Sequence, residues 1–395
     1  MFFRVPSKIS RPRTLLARLE PSGRRDLRLD FFRGIALMFI FVDHIPENVL
    51  SYFTPQTLCF FDAAEIFIFI SGLTAMLVYS RQLSERGAIF TFFRVLRRAW
   101  QLYVAHIFMF VLFVAEVSYI AAQFDNPMFV EEMRVADFVK EPHIAIIEAL
   151  SLQFQPTFLD ILPLYIVMLL IFPLVLVCVR RDWLITLLVS SLLYLIVQVF
   201  GFSLPAYPPG RVWFFNPFAW QFLFITGAVL AHLAPRVQKL PSVAFHLMVT
   251  LFLASVIVRV SWTMHEMWQP IPPLLVEELS RLKSFWPAAD DKTNLSPLRL
   301  IAFFGLVVLV ATRVPSTARF LASSMARPLV VCGQHSLEIF CLSILLSALG
   351  HFVLVEYSAS IPVQLLVNAL GIATMMISGQ IMLWYKSVDK YSDLC

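Results

Sequence analysis

Apolar runs long enough to cross a bilayer recur along this chain and constrain its fold more than any other feature. A spanning helix needs about 20 mostly apolar residues. Ten segments qualify: residues 33–51, 62–80, 99–122, 157–179, 182–201, 213–234, 241–261, 297–312, 328–354 and 361–385. The runs are continuous rather than alternating, which selects helices over the strands of a membrane barrel. The expected fold is all-α, a polytopic integral membrane protein of about ten transmembrane helices. Charged residues make up only 14% of the chain and hydrophobic residues 59%, too few charges to cover an ordinary globular surface. The same composition excludes disorder, collagen and a disulfide scaffold.

Lys and Arg are unevenly placed. Nine lie in residues 1–33, and 23 of the 31 fall in segments that share a side with the N-terminus, against six in the alternate loops. The positive-inside rule then puts both termini in the cytoplasm. The net charge of +5 reports topology, and no nucleic-acid partner is expected. Residues 1–30 read as a basic cytoplasmic segment against anionic membrane lipid. Residues 31–385 form the transmembrane domain, and 386–395 a short cytoplasmic tail. The first apolar run has no small-residue cleavage site after it, so it reads as a retained span.

Two outer loops, 123–156 and 263–296, are long enough to be functional. In the first, Phe138, Ile144, Ile147 and Leu150 recur at near-helical spacing and predict an amphipathic surface helix. Trp268, Pro270, Pro272, Pro273, Phe285 and Trp286 mark the second. Cys59, Cys178, Cys332, Cys341 and Cys395 lack CxxC spacing, and neither a disulfide framework nor a metal site is expected.

Ionisable groups inside spans cost about 2.5–3.5 kcal/mol each near a helix centre, so each marks a candidate site. Span 1 carries Asp43-His44-Ile45-Pro46, and span 2 opens with Asp62-Ala63-Ala64-Glu65. A short connection makes these spans antiparallel neighbours. Glu65 is then expected to reach His44, fix its tautomer and leave the other ring nitrogen as a general base. Asp43, about 100° away around the helix, is a weaker partner. A structural polar pair between helices is the alternative. His335 and Glu338, spaced i,i+3, are expected on one face of span 9, in catalysis or in helix contact. His106, Glu116 and His351 stand alone and read as structural. Asn216 and Gln221 are candidates to line a polar cavity. Arg94, Arg97 and Arg98 cluster at the start of span 3, which suits a phosphate-bearing ligand or, equally, anionic lipid. Walker, GxGxxG, HExxH and GxSxG patterns are absent.

Several blocks resemble the OpgC family. They are Arg28-Leu29-Asp30-Phe31-Phe32-Arg33-Gly34, Asp43-His44-Ile45-Pro46, and Asp62-Ala63-Ala64-Glu65 with Ser71-Gly72. Further blocks are Phe215-Asn216-Pro217-Phe218-Ala219-Trp220-Gln221, Lys292-Thr293-Asn294-Leu295-Ser296-Pro297 and Gly333-Gln334-His335-Ser336-Leu337-Glu338. The resemblance spans about residues 24–385. It implies a bacterial inner-membrane O-acyltransferase related to the acyltransferase-3 superfamily. Such an enzyme would move a succinyl group from cytoplasmic succinyl-CoA to hydroxyls of an osmoregulated periplasmic glucan. The resemblance also implies that His44 is the catalytic histidine and that Arg94 and Arg97 match an Arg-x-x-Arg at the third span.

The candidate catalytic set is His44, Asp43, Glu65, His335 and Glu338. Arg94, Arg97 and Arg98 are the candidate donor site, and Asn216, Gln221 and Asp62 the candidate acceptor site. His335 or Asn216 is the expected oxyanion donor. No permanently bound cofactor and no metal is expected. The rival readings are an O-acetyltransferase of another envelope glycan, a glycan or lipid transporter, and a scaffold.

Overall fold

The computed structural model describes residues 26–233, 241–267 and 290–392. The basic segment up to residue 25, Arg236, Lys239 and the Trp268–Trp286 stretch lie outside the described residues. The described chain is helical almost throughout.

Helix α1 (Leu27–Asp43) is capped by Asp26, whose carboxylate accepts from the Arg28 backbone N–H. A 3-10 turn (Val49–Phe53) and α2 (Pro55–Leu58) lead to α3 (Ala63–Arg86). A capping box opens α3, with the Asp62 carboxylate on the first-turn N–H groups and Glu65 reaching back to the Asp62 N–H. Gly87, at φ 82, turns the chain directly into α4 (Ala88–Gln123). Three short helices follow, α5 (Met128–Glu132), α6 (Ala136–Lys140) and α7 (Pro142–Leu150). Next come α8 (Ile161–Arg181) and α9 (Trp183–Phe200), the latter capped by Asp182. Strands β1 (Pro205–Ala206) and β2 (Arg211–Val212) pair antiparallel before α10 (Pro217–Leu233). The remainder is α11 (Ser242–Met267), α12 (Pro297–Arg313), α13 (Arg327–Gln334), α14 (Ser336–Glu356) and α15 (Ile361–Ser392).

Seven of these, α3, α4, α8, α9, α11, α14 and α15, are long and apolar enough to cross a membrane. The other sequence-expected spans correspond to α1, α10 and α12, each of 17 residues. The outward faces are greasy. On α9, Leu184, Ile185, Leu188, Val189, Leu192, Leu195 and Val199 are all exposed, a surface suited to a hydrocarbon solvent.

Inside, the closest helix contacts are made through glycine. Gly72 on α3 lies against the Phe224 backbone of α10, and Gly227 on α10 lies against the Phe69 backbone of α3. A Cβ at either position would overlap main-chain atoms, the arrangement by which small residues let membrane helices approach. Gly72→Ala is expected to cost at least about 1–3 kcal/mol through overpacking. Thermal unfolding in lipid nanodiscs would show it as a lowered Tm, and an unchanged Tm would mean the two helices can move apart freely.

Three expectations about elements need correcting. Span 1 does not run to residue 51, because α1 ends at Asp43. Pro46 disfavours helix in the residue before it, Glu47 takes φ 56, and the Asn48 side-chain amide donates to the Val42 carbonyl. The amphipathic helix expected in 123–156 is broken into α5, α6 and α7. Arg134 adopts φ 55 and Pro142 starts a new helix; Phe138 nonetheless packs on Phe110 of α4. Span 9 is not continuous either. It breaks at His335, between α13 and α14, where Gly333 is pressed against the Asp30 backbone of α1. Non-helical backbone within a membrane domain is tolerated where it is buried in protein or lines a cavity, and both breaks adjoin cavities.

Candidate functional site

Two cavities lie end to end in the bundle. The smaller, of about 30 Å³, is at the C-terminal end of α1 and is lined by Asp43, His44, Gln56, Asp62, Phe158, Asp160, Phe215, Lys292 and Phe340. The larger, of about 190 Å³, lies toward the N-terminal end of α1 and is lined by Arg33, Thr74, Tyr79, Arg98, Gln334, Ser336 and Phe340, among others. Phe340 of α14 lines both and forms part of the wall between them. A third hollow of about 330 Å³, along Pro328, Met376 and Trp384, is almost wholly apolar and faces outward. It offers no group for acyl chemistry.

The end of α1 creates the small cavity. His44 is the residue at the helix C-cap, and its backbone N–H donates to the Ile40 carbonyl. Its ring is therefore released from the helix surface and stacks on Phe158, with centroids 4.2 Å apart and planes 22° from parallel. Nδ1 is buried and makes no hydrogen bond among the described residues. Nε2 is thus the ring nitrogen that can meet a reactant. Asp43, next to it, accepts from the Thr54 hydroxyl at 2.6 Å.

The structure does not bring Glu65 to His44. Glu65 is fully buried, one oxygen accepting from Arg299 Nε at 2.7 Å and the other from the Asp62 N–H at 2.9 Å. Both oxygens are occupied by the capping box and the guanidinium. Asp62 does line the cavity, held by Lys292 Nζ at 2.7 Å and Arg299 at 3.1 Å. Arg299 also reaches Asp290, which in turn pairs with Arg259 of α11. This network ties together the start of α3, the loop at 290–292, α12 and α11.

Lys292 lies in the loop before α12. Burial disfavours its ammonium and Arg299 repels it, but the charges of Asp62 and Glu65 and the hydrogen bond to Asp62 together outweigh them, and the group is held above the usual lysine value. Lys292 is therefore a fixed positive charge beside His44 and not a base.

The other predicted site residues scatter. His335 is buried at the α13–α14 break with Lys386 Nζ 3.5 Å from its Nδ1, whereas Glu338 is exposed. They do not share a face, since one helix does not run through both, and neither lines the His44 cavity. Asn216 donates to the Phe202 carbonyl and the Asn294 side chain and caps α10, while Gln221 is bonded to Ser190 of α9. Their hydrogen-bonding capacity ties the fold together and does not face a cavity. Arg94 and Arg97 are exposed; only Arg98 of that cluster lines the larger cavity. Arg33 joins it there, with its guanidinium donating to Thr74 of α3 at 3.0 Å. His351 does not stand alone, because Nε2 lies 3.0 Å from a Glu132 oxygen. His106 and Glu116 are without hydrogen-bond partners among the described residues.

Lys292, Arg299, Arg33, Phe158 and Asp160 are the site residues that sequence reasoning missed. Arg299, third in the expected span 297–312, and Asp160, fourth in 157–179, carried the same signal of expense as His44, and Arg33 and Lys292 lie in blocks that resemble the OpgC family. Nothing in the sequence marked Phe158.

The sequence matches the family described as OpgC protein over residues 25–387. No curated protein and no solved structure matches it.

Proposed function

The chain belongs to the OpgC family, and we propose that it is a multi-pass O-acyltransferase carrying a succinyl group from cytoplasmic succinyl-CoA to a periplasmic glucan hydroxyl. Family membership suggests acyltransferase-type chemistry on glucan. The observation that supports the rest is the pair of cavities: an unpaired imidazole in one, two arginines in the other, and Phe340 bordering both. In this reading all ten expected spans cross the inner membrane, both termini are cytoplasmic, and the Arg33–Arg98 cavity opens on the cytoplasmic side.

The donor arrives at the Arg98 end, where guanidinium groups suit its phosphates. Its pantetheine arm passes Phe340 and presents the thioester near His44. A glucan hydroxyl enters from the opposite side, where the carboxylates of Asp62 and Asp160 accept from neighbouring hydroxyls. His44 Nε2 removes the hydroxyl proton as the oxygen attacks the thioester carbonyl. The tetrahedral intermediate carries its negative charge toward Lys292, which takes over the role expected of His335 or Asn216. Collapse breaks the C–S bond, and the imidazolium returns its proton to the thiolate, giving the glucan ester and free CoA thiol.

Transfer of label from succinyl-CoA to periplasmic glucan by the purified protein in nanodiscs, read by mass spectrometry, tests this reading. Labelled acetyl-CoA in a parallel arm separates succinyl from acetyl transfer. Failure with both donors overturns the enzyme reading. The two helices broken at cavity walls also suit a transporter, which would move glycan without transferring label.

Arg98→Ala is expected to raise the donor KM about tenfold with little change in kcat, since one charge-assisted contact is worth about 1.5–3 kcal/mol. Arg94→Ala is expected to do less, because Arg94 is exposed and lines no cavity. Initial-rate kinetics check both, and a larger effect at Arg94 would move the phosphates to the exposed surface.

A further inference from the structure

A catalytic histidine is ordinarily held in place by a hydrogen bond from its second ring nitrogen, and His44 has none among the described residues. What it has is Phe158. The two rings stack at 4.2 Å, and both line the same 30 Å³ cavity. Phe158 also has an unusual backbone, with φ 73. A bulky aromatic residue in the left-handed region is a genuine outlier, and such strain persists only where the surroundings over-determine it.

Here they do. The preceding residue is pinned, with the Thr157 N–H donating to the Met133 carbonyl at 3.1 Å and its hydroxyl to the Glu132 carbonyl at 3.0 Å. The Leu159 N–H donates back to the Pro156 carbonyl, and α8 begins two residues later. The loop is held on both sides, and the strained residue between them projects its ring over the imidazole.

We propose that Phe158 is a positioning residue that orients the His44 imidazole by stacking, in place of the carboxylate such a base usually has. This rests on the reading of His44 as the base. The same placement also explains why Glu65 can be spent on Arg299 without leaving His44 unsupported.

The test compares Phe158→Leu, Phe158→Ala, Phe158→Gly, Phe158→Tyr and Phe158→Trp with wild type, alongside His44→Ala. Acyl-transfer kinetics, Tm and the NMR shifts of the His44 ring protons are read for each. Leu and Ala variants are expected to lose tenfold or more in kcat with KM for both substrates within about twofold. Tyr and Trp variants, which keep the stack, should stay within a few-fold of wild type. Gly takes φ 73 without strain, so that variant should melt above Phe158→Ala while being equally slow. Stability then rises from Ala to Gly while the rate stays low, which a packing role does not produce.

Wild-type kcat in Phe158→Leu, or equal losses in the Tyr, Trp and Leu variants, would overturn the proposal and leave the function intact. If wild type transfers no acyl group, or His44→Ala is as fast as wild type, the reading of His44 falls instead. The ring protons still decide the stack in that case. An upfield ring-current shift lost in Phe158→Leu supports it, and a shift unaltered by that substitution sinks it.

Discussion

His44→Ala is expected to lower acyl transfer by about 10²–10⁴-fold, the usual worth of a general base, while the fold survives. The two effects separate because of how His44 is held. Its helix-capping contact is made by its backbone N–H, which alanine retains. Its side chain makes no hydrogen bond among the described residues, so its removal orphans no partner. Only the stack on Phe158 is lost, about 0.5–1.5 kcal/mol. Label transfer under single-turnover conditions, with Tm measured on the same preparation, checks both halves. Full activity in the variant would remove His44 from the chemistry and leave the fixed charge of Lys292 without a base to serve. The same experiment, quenched early and digested, distinguishes direct transfer from an acyl-histidine intermediate, which would carry the label on His44 in wild type alone.

Arg299→Met is expected to destabilise the protein by about 3–5 kcal/mol, because breaking a buried ion pair from one side leaves the other charge uncompensated. Arg299 is 5% exposed and faces Glu65, which is 0% exposed, so the abandoned carboxylate has no route to solvent. Glu65→Gln should be milder, since Asp62 and Asp290 still neutralise the guanidinium. In the double variant Glu65→Gln/Arg299→Met the penalty of Arg299→Met should be partly relieved, giving a coupling energy of at least about 1 kcal/mol. Denaturation of the four proteins in nanodiscs completes the cycle. Loss of transfer in Glu65→Gln at unchanged stability would show that Glu65 acts on the chemistry, as its spacing from His44 first indicated, and not through the fold.

Those two predictions mark where reading the sequence succeeds and where it stops. Hydropathy found the apolar part of every long helix, because the bilayer demands length and apolarity from each span independently, although α4 begins at Ala88 rather than near 99 and the ninth span is two helices. It missed the ends, since ends are set by local chemistry. Asn48 bonding back to Val42 and Pro46 breaking the helix place His44 beyond α1 rather than on its face. The expense of an ionisable group in an apolar run singled out His44, Glu65 and Asp62 without any alignment. It did not say which would meet.

Pairing is what only the tertiary structure decided. Glu65 lies 21 positions from His44 and 234 from Arg299, yet its bond is to Arg299, because α12 inserts its first turn beside the capping box of α3. Likewise a helix break at His335 keeps it off the helical face of Glu338, and Arg98, one turn further along α4 than Arg94, lines the larger cavity while Arg94 and Arg97 are exposed. Periodicity along one helix reports which residues share a face, but partner choice depends on the order and depth at which helices pack. That order is a balance of close glycine contacts, such as Gly72 on Phe224, and buried charge pairs. The sequence by itself determined an all-helical membrane protein with its costly groups in particular spans. The packing decided that one of those groups, His44, faces a cavity on a strained aromatic ring, and that another, Glu65, is paired with Arg299 behind it.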